Sequence, residues 1–210
     1  MTSKRIAQPV DLTREIYGDK FPLINRYVDI LRTTGVAWGL LGPREADRLW
    51  DRHILNSAAL SHLIAVDSVV ADVGSGAGLP GIPLALLRPD LRMRLIEPLL
   101  RRSTFLAQTV GELGIADRVE VIRVRAEDHH RTYDVVVARA LAPLDRLVGW
   151  CNPLRAEGGV VLALKGDSAG NEVAAAKPEL EKAQLDAEVL VVRAHPEAEP
   201  ATVVRLTARG

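Results

Sequence analysis

Ala71–Asp90, ADVGSGAGLPGIPLALLRPD, places four glycines and three prolines between an apolar run and a helix-like run. Within it, Gly76-Ala77-Gly78-Leu79-Pro80-Gly81 matches G-x-G-x-x-G, the spacing of a dinucleotide-binding loop. Glycines there let a backbone approach a ligand closely and adopt positive φ. A dinucleotide loop must also present N–H groups to a pyrophosphate. Proline has no N–H, so Pro80 and Pro83 remove two candidate donors from the loop and the first helical turn. No Lys-Ser/Thr pair follows the glycines, which excludes a P-loop.

The surrounding pattern sets the fold. VVADV, residues 69–73, reads as a short buried strand that delivers the chain into the loop. Helix-like and strand-like segments then alternate: IPLALLR, RMRLIE, LLRRSTFLAQTVGELG, VEVIRV, YDVVVARA, PLDRLVGWCNPL, GGVVLALKG and a helix across 170–183. Such alternation means a parallel sheet with helices on both faces. AEVLVVRA and ATVVRLTA close the chain with only a turn, HPEAEP, between them, so they pair as an antiparallel hairpin. Upstream, residues 20–64 read as helices broken at Gly35–Gly42. Phe21, Ile24, Val28 and Leu31 form one stripe, and Trp50, Ile54, Ser57, Ala58, Ser61 and Ile64 form another, in a segment entered through Pro43.

This order is an α/β fold that resembles the class I S-adenosylmethionine methyltransferases: a Rossmann-like, mostly parallel seven-stranded sheet ending in an antiparallel hairpin. The division that follows is an N-terminal helical extension, 1–66, on the substrate side of a compact cofactor-binding domain, 67–210.

Composition bounds the possibilities. The 210 residues are 48% hydrophobic and 26% charged, enough to bury a core without metals or disulfides. One cysteine, Cys151, excludes an intramolecular disulfide or a multi-cysteine zinc site. No apolar run approaches a membrane span and the polar N-terminus has no signal-peptide core. A soluble cytoplasmic protein is expected. Net charge is zero, which argues against generic nucleic-acid binding. Arginine outnumbers lysine 22 to 5; this reads either as guanidinium recognition of phosphate or as the codon bias of a GC-rich genome.

In an open parallel sheet the ligand sits beyond the carboxyl ends of the strands. The residues there can be assigned to S-adenosylmethionine, which carries no phosphate. Asp72 can accept from its ammonium, or merely cap loop amides. Glu97, ending the second strand in RLIEP, can accept from the ribose hydroxyls, although NAD uses the same acid. Ala126 and Glu127, in RAED after the third strand, can meet the adenine. Gly74, Gly76 and Gly78 give the close backbone approach.

The acceptor is read from the loop after the fourth strand, ARALAP. It lacks the Asn/Asp-Pro-Pro-aromatic sequence of exocyclic-amine methylation. Cys151 is the one candidate nucleophile for pyrimidine C5, with an inert buried thiol as its alternative. A hydroxyl acceptor wants a base or a metal, and no His/Asp cluster suggests one. Guanine N7 has a free lone pair at neutral pH and needs only orientation and electrostatics. Arg139 suits its O6/N7 edge, a phosphate or the cofactor, a buried salt bridge being the alternative.

DVGSGAGLPGIPLAL, with RHILNS upstream and RAED, ARALAPL and LALKG downstream, resembles the RsmG (GidB) family of bacterial small-subunit rRNA guanine-N7 methyltransferases over roughly residues 20–165. The resemblance implies a monomeric enzyme that uses S-adenosyl-L-methionine to methylate one guanine of 16S rRNA, in the decoding region, as naked RNA or in the 30S subunit. It implies cofactor contacts at Gly74, Leu79, Ala126, Glu127 and Arg139. It places His53 and Lys165 near the reaction as RNA or guanine contacts, with a helix-flank histidine as the alternative for His53. Asn56 stands where many relatives have Asp. Arg101–Arg102, Arg123–Arg125 and Arg44, Arg48 and Arg52 are candidate RNA contacts, or ordinary charged surface. A small-molecule methyltransferase, an NAD(P) oxidoreductase and a non-catalytic S-adenosylmethionine sensor are the rival readings.

Overall fold

The computed structural model describes residues 8–42, 45 and 47–210. Its centre is β1 (Val69–Val73), in which Val70, Ala71, Asp72 and Val73 are all buried. β2 (Arg92–Ile96) and β3 (Val119–Ile122) extend the sheet on one side. β4 (Tyr133–Arg139), β5 (Arg155–Lys165), β6 (Leu185–Val192) and β7 (Ala201–Ala208) complete it on the other. The order is β3-β2-β1-β4-β5-β7-β6. β1 to β5 are parallel; β7 runs antiparallel to both β5 and β6, as the short HPEAEP connection requires. The mostly parallel seven-stranded sheet ending in an antiparallel hairpin, expected from the segment pattern, is thus present.

Alternating residues face opposite layers. Val70, Val135, Val137 and Leu162 join the larger core, with Leu84 and Leu86 of α4 (Gly81–Leu87), Phe105 and Leu106 of α5 (Leu100–Glu112), and the N-terminal helices. Ala71, Val136, Ala138 and Val161 join the second core, under α6 (Leu144–Cys151), α7 (Ala169–Ala175) and α8 (Lys177–Lys182). Asp72 lies two residues from Val70 on the same strand, so it points into the larger core.

The N-terminal segment packs on that larger core. α1 (Pro9–Tyr17) and α2 (Phe21–Ile30) carry the stripe Phe21, Ile24, Val28, Leu31 inward. α2 runs on into a wider π-helical turn, Leu31–Gly35. Leu49–Leu55 winds the same way before α3 (Asn56–Ala59) and a 3-10 turn, Leu60–Leu63. The winding differs from a continuous α-helix, yet Ile54, Ser57, Ala58, Ser61 and Ile64 are all buried; Trp50 is half-buried and stacks on Phe21 at 5.9 Å. Pro43 and Arg44 lie outside the described residues.

One expected element differs. Residues 170–183 form two helices, α7 and α8, which meet at Ala176. Pro178 stands at the start of α8, where its missing N–H is harmless; inside a continuous helix it would break a hydrogen bond and crowd the preceding turn.

Gly81 marks where backbone and core meet most closely. A β-carbon there would lie 2.4 Å from Leu95 Cδ2 and 2.7 Å from Asp72 Oδ2, whereas at Gly149, in α6, it would meet nothing within 4 Å. Gly81→Ala is expected to lower stability by about 2 kcal/mol through overpacking, a fall in melting midpoint of about 6 °C for a chain of this size. Gly149→Ala is expected to be neutral or slightly stabilising. Parallel thermal melts of the two variants check this; equal midpoints would contradict the close approach.

Candidate functional site

The loop between β1 and α4 is held by its own neighbours. The N–H groups of Gly74 and Ser75 donate to the Ile96 carbonyl at 2.9 and 3.2 Å, and those of Gly78 and Leu79 to the Ser75 carbonyl. Gly76 donates to Glu97 Oε2 at 3.0 Å, and Gly81 to Asp72 Oδ2 at 3.0 Å. Gly78 needs to be glycine: φ is +97° and a β-carbon would strike Ile82 Cδ1 at 2.5 Å. From the N-terminal segment, the Tyr27 hydroxyl donates to the Ala77 carbonyl at 2.8 Å and the Tyr17 hydroxyl to the Pro83 carbonyl at 3.1 Å.

Two carboxylates therefore end against this loop. Glu97 is 1% exposed, and its second oxygen accepts from Leu99 N at 3.0 Å. Asp72 is fully buried, and its Oδ1 has no partner among the described residues. Burial pushes the Asp72 carboxyl up to about 7, against the Gly81 hydrogen bond that favours its ionised form.

A cleft of about 130 Å³ opens at the strand ends beside the loop. Gly74, Pro98, Ala126, Glu127, Leu141 and Trp150 line it. A larger, open cavity of about 1200 Å³ lies across the ends of β4 and β5. Arg139 and Lys165 of those strands line it together with Arg48, Arg52 and Asn56 of the N-terminal segment and Glu172 of α7.

Arg139 ends β4 at the wall of that larger cavity. Its Nη2 donates to His53 Nδ1, while Nη1 is buried with no partner among the described residues. His53 is 5% exposed, and its Nε2 lies 2.8 Å from Glu45 Oε2. Burial and then the Arg139 charge lower the His53 pKa to about 4, so the ring is neutral at physiological pH. Burial also lowers the pKa of Arg139, but a guanidinium remains charged. No carboxylate pairs with Arg139 among the described residues, unlike the salt bridge considered as its alternative role.

Lys165 is committed as well. Its Nζ donates to the Ala142 carbonyl and to Glu172 Oε2, both at 2.7 Å. Glu172 also accepts from Leu144 N at 3.1 Å and from the Ser168 hydroxyl at 3.1 Å. Burial opposes its ionisation, but Lys165 prevails and holds the carboxyl below its ordinary value. The pair ties the loop after β4 to the start of α7.

The fold thus gathers Gly74, Ala126 and Glu127 around one cleft, and Arg139 and Lys165 around the other cavity. Gly76, Gly78, Asp72 and Glu97 lie in or beneath the loop. Leu79 instead packs into the larger core, 8% exposed. Cys151 is buried, and burial raises its thiol to about 12, which suits the inert alternative. Arg101, Arg102, Arg123 and Arg125 are exposed, with Arg102 3.9 Å from Glu97. Arg48 pairs with Asp51 at 3.2 Å and Arg52 with Glu45 at 3.8 Å. Sequence reasoning missed Tyr27, Glu45, Trp150 and Glu172. Only Tyr27 left a signal, three residues after Ile24 on the α2 stripe.

The family model described as rRNA small subunit methyltransferase G matches residues 20–199. Among similar proteins, the ribosomal RNA small subunit methyltransferase G of Nocardioides sp. is 54% identical over 173 residues, 81% of this chain and 69% of that protein. That of Kineococcus radiotolerans is 49% identical over 204 residues, 96% of this chain and 80% of that protein. Among solved structures, the ribosomal protein L11 methylase of Lactobacillus delbrueckii subsp. bulgaricus superimposes with a TM-score of 0.58 at 19% identity, covering 73% of this chain and 77% of that one.

The raised Asp72 pKa fixes a pH dependence. Unfolded, the carboxyl titrates near 4; folded, at about 7. Between these values the native state holds a proton that the unfolded state has lost, so stability falls as pH rises through the window and levels off above it. Asp72→Asn keeps an oxygen for Gly81 N–H and removes the titration. Its stability relative to the unaltered protein is expected to grow from pH 4 to pH 7, by up to about 4 kcal/mol. Denaturant unfolding across that range is the measurement; parallel curves for the two proteins would refute it.

Proposed function

Because the chain belongs to the rRNA small subunit methyltransferase G family, we propose that it transfers the methyl group of S-adenosyl-L-methionine to N7 of one guanine in 16S rRNA. The observation that carries the cofactor is the donor count of the glycine loop. Gly74, Ser75, Gly76, Gly78, Leu79 and Gly81 all spend their N–H groups within the protein, and Pro80 and Pro83 have none. Glu97, and Asp72 in its ionised form, repel a diphosphate and suit a cation. This opposes the NAD(P) reading and fits a ligand with an ammonium and a sulfonium.

The residues present fit that ligand. Ala126 and Glu127, with Leu141 and Trp150 opposite, offer an apolar cleft with one acid for adenine. Glu97 is the acceptor for ribose hydroxyls, and Asp72, whose Oδ1 is unpartnered, the acceptor for the ammonium. Gly74, Gly76, Gly78 and Leu79 shape the loop that the ligand approaches. When bound, the cofactor supplies a methyl group activated for attack by a nucleophile.

Guanine N7 is supported by what the neighbouring side chains can do. His53 has both ring nitrogens hydrogen-bonded, and Lys165 is held by Ala142 and Glu172. Neither is free to remove a proton, and N7 has none to lose. Arg139, charged and with Nη1 uncommitted, serves orientation and electrostatics instead. Arg48, Arg52 and Asn56 bring the helical extension, residues 1–66, to the same cavity as the methyltransferase domain, residues 67–210, making the extension the substrate-side module. Exposed arginines supply the local positive charge that the zero net charge denies the whole chain. The enzyme acts as a cytoplasmic monomer on naked 16S rRNA or the 30S subunit; among the described residues no helix is long and apolar enough to cross a membrane.

Radiolabelled methyl transfer to 30S subunits, naked 16S rRNA and a metabolite extract tests this. Label is expected at a single guanine, mapped by cleavage selective for 7-methylguanine. Arg139→Ala is expected to lose on the order of 100-fold in rate with its melting midpoint preserved. Cofactor binding by calorimetry without label in RNA would keep the fold and cofactor and overturn the rRNA assignment. Full activity in Arg139→Ala would remove that residue from the site.

A further inference from the structure

Of the two terminal nitrogens of Arg139, one is engaged and the other has no partner among the described residues, and what engages the first is unusual. The partner is a neutral imidazole, not a carboxylate. A neutral imidazole has one donor and one acceptor nitrogen. Nδ1 of His53 can accept from Arg139 only when the ring proton sits on Nε2. A carboxylate is an acceptor only, and Glu45 Oε2 stands 2.8 Å from Nε2. The other Glu45 oxygen is 3.8 Å from Nη1 of Arg52.

We infer that Glu45 is a positioning residue for methyl transfer: by holding the His53 proton on Nε2 it makes Nδ1 the acceptor that fixes Arg139 where it lines the acceptor cavity, its Nη1 having no partner among the described residues. This inference rests on the methyltransferase reading for its function, and on geometry alone for the arrangement. Without Glu45, the ring would be free to carry its proton on Nδ1, where it would meet the guanidinium donor against donor. Protonation of the ring would do the same. Burial, Arg139 and Arg52 all oppose that protonation and outweigh Glu45, which favours it. The three side chains come from separate parts of the chain. Arg139 ends β4, His53 lies in the π-helical turn Leu49–Leu55, and Glu45 lies eight residues before His53.

The test compares the full chain with Glu45→Gln and Glu45→Ala. Glutamine keeps a carbonyl oxygen for Nε2–H; alanine keeps no acceptor. Long-range nitrogen–proton NMR of the histidine rings, assigned with His53→Gln, reads the tautomer directly. The expected result is a pure Nε2–H ring in the unaltered chain and in Glu45→Gln, and a mixed tautomer in Glu45→Ala. With 16S rRNA as substrate, kcat is expected to fall by about tenfold in Glu45→Ala, within the range for a lost orienting contact. Calorimetric affinity for S-adenosylmethionine is expected to stay within about twofold, and Glu45→Gln to recover most of the rate. In a His53→Ala background, Glu45→Ala should cost nothing further, because it acts through that ring. Glu45→Leu, which fills the space without an acceptor, gives the same comparison if the alanine variant does not fold. A pure Nε2–H ring in Glu45→Ala, or an equal rate loss in both backgrounds, would overturn the inference. If the unaltered chain methylates no RNA while the tautomer still shifts in Glu45→Ala, the substrate reading fails and the Glu45–His53–Arg139 arrangement stands.

Discussion

The structure depends on satisfying the backbone donors of one loop. Between β1 and α4 the chain turns from strand to helix in the middle of the molecule, where an unpaired N–H costs about 1–3 kcal/mol. Asp72 and Glu97 meet part of that demand, binding Gly81 and Gly76. They can do so together because β1 and β2 pair in parallel with Val73 opposite Ile96, which brings the two strand ends side by side. Tyr27 and Tyr17 then bind carbonyls of the same turn from the N-terminal helices. The turn is thereby held by side chains of β1, the segment after β2 and the N-terminal helices, with two buried carboxyl groups beneath it.

The larger cavity is built on the opposite principle. Its wall is formed by cationic strand ends whose directions are set by partners from other elements. Lys165 is spent on structure: with Glu172 it clamps Ala142 and Leu144, and so shapes the loop that follows Arg139. Arg139 is held by a neutral ring and keeps its full charge, since no carboxylate among the described residues neutralises it. A guanidinium left only half-committed in a buried place is well suited to orienting an electron-rich partner.

Much of this was legible in the chain itself. The strands of the sheet interior are short apolar runs because both faces are covered, and that pattern survives in any sequence that folds this way. The closing hairpin followed from the absence of room for a crossover helix between β6 and β7. The two prolines of the glycine loop were enough to argue against a phosphate cradle, and the internal hydrogen bonds of six of its N–H groups agree with them. By contrast, Pro178 divides one expected helix into two. The π-helical winding of Leu31–Gly35 and Leu49–Leu55 left no mark, since segments of 5 and 7 residues are too short for a change of period to show in the pattern.

By itself, then, the sequence determined the order of strands and helices, the location of the ligand loop at the end of β1 and the kind of residue found there. Those are consequences of local periodicity and of backbone chemistry that each residue carries with it. Only the tertiary structure decided which side chains answer one another. Glu97 turns toward Gly76, Tyr27 reaches Ala77, Glu172 holds Lys165, and Glu45 stands behind His53 and Arg139. Four of these five contacts join residues seven to 86 positions apart across separate elements, and the fifth spans eight positions around a turn. A hydrogen bond requires two atoms within about 3 Å at a set angle, and no local pattern of sequence records that meeting.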